Sequence, residues 1–458
     1  MTVLTRPTLE LDAAPALLAT VGAGAEVPLV DGRSARYVHL DSAASAPALQ
    51  AVADHVAEVL PYYASVHRGA GYRSQVCTSL YEDARGTVAG FVGARPDDVV
   101  VFLRNTTDAL NLLSTAVPGE VVVLDVEHHA NLLPWQRGDA RVVPAADTLA
   151  ATEAALTAEL ARRPAALLAV TGASNVTGEV PDLARLAAIA HAAGARVVID
   201  GAQLVPHRAL DLAALDLDYL AFSGHKLYAP FGAGALVGRG DWLDQAPPHL
   251  AGGGAVREVS VAATTWATGP ERHEGGTPNV LGVAALAAAC RVLGVAGDEL
   301  RTHEAVLHAQ LVDGLRERGI EPLRIWSDAV DVVGVVSFTV PGHPAAQVAA
   351  YLSAEHGIGV RDGRFCAHPL VARLGVAAGA VRASLGVGSS GTDVQRLLDA
   401  LDELLTDGPR WTYFADRGGC TPFPDPRPAT PWSADGRRLD HAPSAPAPCA
   451  TPSPGGTR

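Results

Sequence analysis

Six short apolar runs dominate the middle of the chain: Val99–Leu103, Val121–Asp125, Ala166–Thr171, Arg196–Asp200, Tyr219–Ser223 and Gly234–Gly238. Segments of helical periodicity lie between several of them. Strands apolar on both faces that alternate with helices build a mainly parallel sheet covered on both sides, so the pattern requires an α/β domain. One intervening helix is fully punctuated. Asp182 after Pro181 can cap its start, Leu183, Leu186, Ala187 and Ile189 mark its buried face, and Gly194 can close it before the run that ends at Asp200.

With 458 residues, 48% of them hydrophobic, the chain can bury more than one core. After about Gly297 the pattern changes to a long amphipathic helix (Glu299–Arg318), a strand (Val335–Val340), a helix (Ala345–His356), short strands around Val360 and Ala383, and a helix from Thr392 to Leu405. The expected organisation is therefore a lead segment (1–30), a large α/β domain (31–296), a smaller α+β domain (297–405) and a Pro- and Gly-rich tail (406–458). The tail's composition predicts little packed structure.

Net charge is −14, and only 18% of residues are charged. The net charge argues against nucleic acid and anionic membrane as partners, since those favour basic surfaces. The N-terminus lacks a basic region followed by an apolar core, and no run of about 18 uncharged apolar residues occurs. The nearest candidate, Val280–Val295, contains Arg291 and reads as a buried helix. Five cysteines, Cys77, Cys290, Cys366, Cys420 and Cys449, are odd in number, widely spaced and without a Cys-x-x-Cys pair. Neither a disulfide framework nor a zinc site fits them, and a reducing cytoplasm does.

Lys226 is the one lysine beside 34 arginines. A guanidinium does not give up its proton to become a nucleophile, whereas a desolvated amine can, so Lys226 alone could form a Schiff base. An arginine-rich composition that happened to leave one lysine would look the same.

Ligands of open α/β sheets gather beyond the carboxyl ends of the strands. Four polar clusters stand there. Glu127, His128, His129 and Asn131 follow the second run; the histidine pair could be a metal fragment, but no regularly spaced ligands accompany it, and an aromatic cap over a planar ring suits one of them better. Asp200 and Gln203 follow the fourth run. Asp200 is either an ordinary helix cap or a carboxylate that keeps a pyridine nitrogen protonated, in which case Gln203 can reach the ring oxygen. Ser223, Gly224, His225 and Lys226 follow the fifth, with a hydroxyl and an imidazole suited to a phosphate. Asn105, Thr106 and Thr107 precede a helix that begins near Thr107, where threonine is a simple cap or part of an anion site.

From Tyr37 to Leu405 the sequence resembles the aminotransferase class V enzymes of PLP-dependent fold type I, and within them the SUF-type (group II) cysteine desulfurases and selenocysteine lyases. The resemblance rests on Leu40–Ser45, Ser65–Gly69, Glu127–Asn131, Pro134–Gln136, Ser174–Gly178, Asp200–Gln203, Phe222–Tyr228, Gly252–Gly254, Thr264–Trp266, Gly276–Asn279, Val360–Gly363, Cys366–Leu370 and Arg382–Leu385. It implies a mainly parallel sheet of the seven-stranded type, a smaller α+β domain and pyridoxal 5'-phosphate as cofactor. Lys226 would be the imine lysine, His128 would stack on the ring, Asp200 would pair with the ring nitrogen, and Gln203 would touch the ring oxygen. Thr106, Thr107, Ser223 and His225 would hold the phosphate. Asn175, Arg382 and Arg361 would serve the substrate, and Thr277 would reach the phosphate across a homodimer interface.

Cys366 matches the family's sulfur-accepting cysteine. A lone cysteine is otherwise a small buried hydrophobe, but Arg361 and Arg364 precede this one and would favour its thiolate if they point inward. The implied reaction converts L-cysteine to L-alanine with transfer of sulfur to Cys366 as a persulfide, then to an acceptor protein or thiol, as in iron–sulfur cluster assembly. The alternative is another class V activity on a different substrate: an aminotransferase, a selenocysteine or cysteine-sulfinate lyase, or an epimerase. Three departures motivate it. Gly172 stands where the family usually has histidine, Arg364 and Phe365 stand for two histidines, and Gly386–Ser390 replaces a Tyr-Asn-Thr ending.

Overall fold

The computed structural model describes residues 14–138, 140–416 and 419–428. They form two compact units. The larger comprises residues 43–300 and 324–333. Its sheet contains β1 (Asp98–Leu103), β2 (Val121–Leu124), β3 (Ala140–Val143), β4 (Leu167–Thr171), β5 (Arg196–Asp200), β6 (Tyr219–Ser223) and β7 (Gly234–Arg239), in the order β1-β7-β6-β5-β4-β2-β3. The five strands from β6 to β3 are mutually parallel, and β7 runs antiparallel to both of its neighbours. Every residue of β2, β4 and β6 is buried, which is why these runs are continuously apolar rather than alternating. Val101, Leu110, Leu113, Val123, Leu167 and Val198 belong to one core cluster under the sheet.

Helix ends follow local chemistry. α1 (Thr106–Ala116) is capped by Asn105, whose side chain accepts from Asp108 N at 3.0 Å; the expected threonine cap is displaced because the amide oxygen one residue earlier reaches the free N–H first. α2 (Leu183–Ala192) starts with Asp182 accepting from Arg185 N, and Gly194 follows it with φ +77°. α3 (Val280–Glu317) is broken at Gly297, where φ is 44° and ψ −122°. Its first half is apolar enough, by length and composition, to cross a membrane, yet 61% of that stretch is buried within the protein, in keeping with a core helix.

Residues 324–333 belong to the larger unit rather than to the smaller domain expected from 297 onward. Buried Glu179 holds them there, accepting from Ile325 N at 2.7 Å and Trp326 N at 3.1 Å, while the Trp326 indole donates to Thr152 Oγ1. No apolar periodicity signals such a return, because a single carboxylate makes it.

The smaller unit gathers, among the described residues, 14–42, 301–323, 334–416 and 419–428. Its sheet orders β8 (Val335–Phe338), β10 (Ala380–Ser384) and β9 (Arg361–Gly363) antiparallel, with β10 central. α4 (Ala345–His356) and α5 (Gly391–Asp407) close a core that includes Leu40, Leu311, Phe338, Tyr351, Val381 and Leu401. Ser390 and Asp393 form a capping box at the start of α5, which accounts locally for the serine that ends the departing Gly386–Ser390 segment. Residues 14–42 are no mere lead-in to the larger domain. Leu17 N donates to Val387 O and Val30 N to Ala354 O, and Val38–His39 pairs with Ile358–Gly359, so this segment is woven into the smaller unit.

A second correction concerns the tail. β11 (Thr412–Asp416) and β12 (Gly419–Phe423) form an antiparallel hairpin that packs on α4. The buried carboxylate of Glu355 fastens it, accepting from Arg410 N (3.1 Å), Trp411 N (3.2 Å) and the Tyr413 hydroxyl (2.9 Å). Cys420 lies on β12, and Cys449 lies outside the described residues. Replacing Glu355 by Ala removes an acceptor shared by three donors and should raise the tryptic cleavage rate at Arg410 by about tenfold or more, since proteolysis tracks the opened population. Equal cleavage of wild type and variant would show that the clamp is not what holds the hairpin.

Candidate active site

Lys226 lies in the turn after β6. Gly224 N donates to Ala233 O at 2.8 Å, and a side chain at Gly224 would bring its Cβ within 2.7 Å of that oxygen, so the turn closes only with glycine. Ala46 N to His225 O (2.9 Å) and Leu49 N to Tyr228 O (3.1 Å) fasten the turn from a distant stretch of the chain. Burial, and next the Lys226 charge, push the His225 imidazolium down to about 4, so His225 is a neutral imidazole near pH 7.

Asp200 ends β5 and is 4% exposed. Its Oδ1 accepts from Ala202 N at 3.0 Å. Burial raises the carboxyl's pKa against that hydrogen bond and the Lys226 charge. Gln203 donates Nε2 to Ala43 O at 2.8 Å, which leaves one amide N–H for the ring oxygen assigned to it, while its buried Oε1 has no hydrogen-bond partner.

Glu127 was part of a recognisable motif without a role of its own. It is fully buried, and its two oxygens accept from Thr171 N (3.0 Å) and Asn131 Nδ2 (2.7 Å); Asn131 Oδ1 in turn accepts from the Trp135 indole (3.1 Å). Burial pushes the Glu127 carboxyl up to about 8 against those donors, and the Asp200 and Asp125 charges push the same way. The spacing of four between 127, 131 and 135 was the available signal. This relay braces the turn that presents His128, whose Nδ1 accepts from Ala130 N at 3.0 Å. With Nδ1 engaged as an acceptor, the neutral ring carries its proton on Nε2.

At the start of α1, Ser223 Oγ accepts from Thr106 N at 2.8 Å and lies 2.7 Å from Thr106 Oγ1. Thr107 is exposed at the same helix start. Asp108, in this first turn, is an ionised carboxylate paired with Arg104 and His249. Although burial works the other way, hydrogen bonds from His249 and Arg104 hold its carboxyl well below the usual carboxylate range. Asn175 is buried in a tight turn where Ser174 Oγ accepts from Val176 N and Thr177 N, and the Thr177 hydroxyl is buried without a hydrogen-bond partner. Gly172 has no room for the family's histidine: its Cβ would lie 2.9 Å from both Ile199 and Leu204 side chains. Thr277 is exposed, on a loop that Glu274 ties down by accepting from Arg85, Tyr81 and Phe102 N.

These residues suit pyridoxal phosphate. A buried carboxylate with raised pKa calls for a cation such as a protonated ring nitrogen, and a helix start carrying hydroxyls suits a phosphate.

The smaller unit holds the other predicted residues. Arg382, 3% exposed on β10, donates to Asp41 Oδ1 at 3.2 Å and lies with its guanidinium carbon 5.1 Å from the centre of the Phe365 ring. Burial lowers its pKa to about 10; Asp41 and the Cys366 sulfur act in the opposite direction, and Arg361, its partner in the strand register, acts with burial. The guanidinium that senses Cys366 is therefore Arg382 rather than only the Arg361 and Arg364 flanking it in sequence. Arg364 also helps burial depress His368. Cys366 is half-buried, and both it and Phe365 adopt left-handed backbone (φ 53° and 51°).

The aminotransferase class-V family model matches residues 38–397. A cysteine desulfurase of Dickeya dadantii (strain 3937) is 41% identical over 391 residues, covering 82% of this chain and 93% of that protein. Among solved structures, the apo cysteine desulfurase of Thermococcus onnurineus NA1 superposes with a TM-score of 0.75 at 34% identity, covering 80% of this chain and 94% of that one. The cysteine desulfurase CsdA of Escherichia coli, in an S-sulfonic acid form, gives 0.71 at 37% identity, covering 81% and 94%. The strand order, the strand-end lysine and acid, and these matches together make this chain a member of the aminotransferase class-V family.

Proposed function

We propose that the chain is a pyridoxal 5'-phosphate-dependent cysteine desulfurase that converts L-cysteine to L-alanine and takes the sulfur onto Cys366 as a persulfide. The observation that carries this reading is Cys366 itself, a half-buried thiol in left-handed backbone whose charge bears on the buried Arg382 guanidinium, in a chain whose relatives over four-fifths of its length are cysteine desulfurases.

Pyridoxal phosphate, when bound, supplies an electron-withdrawing ring that stabilises negative charge on the substrate carbon next to the amine. Lys226 Nζ would hold it covalently, and its amine would carry the proton taken from that carbon. Asp200 would serve the ring nitrogen, Gln203 the ring oxygen and His128 the ring face. Thr106, Thr107, Ser223 and His225 would serve the phosphate together with the partner subunit's Thr277 in a homodimer. Asn175, Arg382 and Arg361 orient the substrate carboxylate. The Cys366 thiolate attacks the substrate sulfur: the carbon–sulfur bond breaks, a sulfur–sulfur bond forms, and protons complete alanine, so the substrate carbon is reduced as the enzyme thiol is oxidised to the persulfide level. A second protein or a small thiol in a reducing cytoplasm then removes the outer sulfur and returns Cys366 to the thiol.

Arg364 and Phe365, in place of two histidines, favour a second reading in which the same machinery acts on selenocysteine, cysteine sulfinate or another amino acid. Products separate the two, because a desulfurase releases alanine and sulfide in equal amounts from L-cysteine when a reductant is present.

Incubation with L-cysteine should leave a persulfide on Cys366 by mass spectrometry, and Cys366→Ala should lower alanine formation by at least about a hundredfold. Alanine made at the wild-type rate by that variant would remove Cys366 from the reaction. Lys226→Ala should lack the imine absorbance at about 420 nm, and borohydride should fix no cofactor to it, because the covalent link needs the amine. Borohydride-stable cofactor on the variant would mean a different anchor.

A further inference from the structure

Phe365 takes no part in the chemistry derived above, yet it stands out in the smaller unit. It is 2% exposed, it carries an aromatic side chain at φ 51°, and the next residue is Cys366 at φ 53°. Bulky residues seldom occupy left-handed backbone, and two in succession persist only when the surroundings hold them. The surroundings are visible. A turn closes through Ala367 N to Arg364 O at 2.9 Å, and the guanidinium of Arg382 lies over the Phe365 ring. Asp41 engages the same guanidinium, so Arg382 is held between a carboxylate and an aromatic face. The strand pairing carries this to the backbone, since Arg361 and Gly363 at the start of the loop pair with Arg382 and Ala380.

We propose that Phe365 is a positioning residue that fixes the Cys366 thiol relative to the Arg382 guanidinium: its ring anchors the cation, and its left-handed backbone sets where the next residue's sulfur leaves the loop. The inference deepens the desulfurase reading, on which its catalytic consequence rests, because one ring then ties the group assigned to the substrate carboxylate to the group assigned to the sulfur. It also gives a physical role to one of the residues that depart from the family pattern.

The test uses the holoenzyme with Phe365→Leu and Phe365→Met, which keep an apolar side chain without a ring face, and Phe365→Tyr, which keeps the face. The first readout needs no substrate: the rate at which iodoacetamide alkylates Cys366 near neutral pH, followed by mass spectrometry of its peptide. Leu and Met should slow it by about tenfold, the scale of a partly desolvated cation–π contact, and Tyr should stay within about twofold of wild type. The second is persulfide on Cys366 after L-cysteine, which should fall in the same order, while the imine absorbance of Lys226 stays unchanged in all three. A merely structural role would lower stability without separating Tyr from Leu and Met. Wild-type alkylation in both Leu and Met, or a Tyr variant as slow as they are, overturns the proposal. Slowed alkylation in Leu and Met with no persulfide on wild-type Cys366 would instead sink the desulfurase reading and leave the positioning role standing.

Discussion

A carboxylate buried at the end of a central strand is the constraint from which the larger unit follows. Asp200 has one backbone N–H on one oxygen and is pushed toward neutrality by burial, an arrangement that raises the free energy of the protein alone. Glu127, two strands away across β4, is buried and pushed toward neutrality in the same manner, but each of its oxygens has a donor within the protein, Thr171 N and Asn131. The contrast separates their roles. Glu127 has its donors within the protein and serves to brace the His128 turn, whereas Asp200 is left short of positive charge where the only lysine of the chain supplies it in part. A cation delivered by a ligand relieves that shortage, and ligand binding then adds to stability by mass action.

Precision at this site comes from rigid elements meeting at short bonds. The Ser223 hydroxyl joins the end of β6 to the start of α1 through Thr106, so strand and helix move as one. Gly224 lets the Lys226 turn press against Ala233, and the turn is held again from Ala46 and Leu49. Side chains mounted on strand ends and locked from behind keep their geometry better than side chains on free loops.

Much of this was legible in the sequence because it rests on local rules. Continuous apolar runs gave β1, β2 and β4 to β7 to within a residue or two, and Asp182 and Gly194 marked α2. Strand-end position and residue type were enough to single out Asp200, Gln203, Ser223, His225 and Lys226. What escaped was carried by one side chain reaching far along the chain. Glu179 draws 324–333 back to the larger unit, Glu355 fastens the hairpin inside a segment whose composition promised no structure, and Arg382 reaches the Cys366 loop that sequence neighbours alone seemed to control. Composition and periodicity average over many residues, so a single buried acceptor with distant donors leaves no trace in them.

The cysteines show how function can be read from what a thiol is allowed to do. Cys290 is fully buried, and burial pushes its thiol up, so it stays protonated and inert. Cys77 is buried as well, with its sulfur engaged by Ala64 N and Tyr62 O. Cys420 is as accessible as Cys366 but lies in a regular strand. A sulfur carrier must meet a substrate, accept an atom and surrender it to a third molecule, which excludes full burial and favours a nearby cation. Among the described cysteines, Cys366 joins partial exposure to a buried guanidinium and to backbone that only its surroundings can hold. In the proposed reaction the left-handed turn would serve the chemistry by holding a small, half-buried thiol in place where a relaxed loop would let it wander.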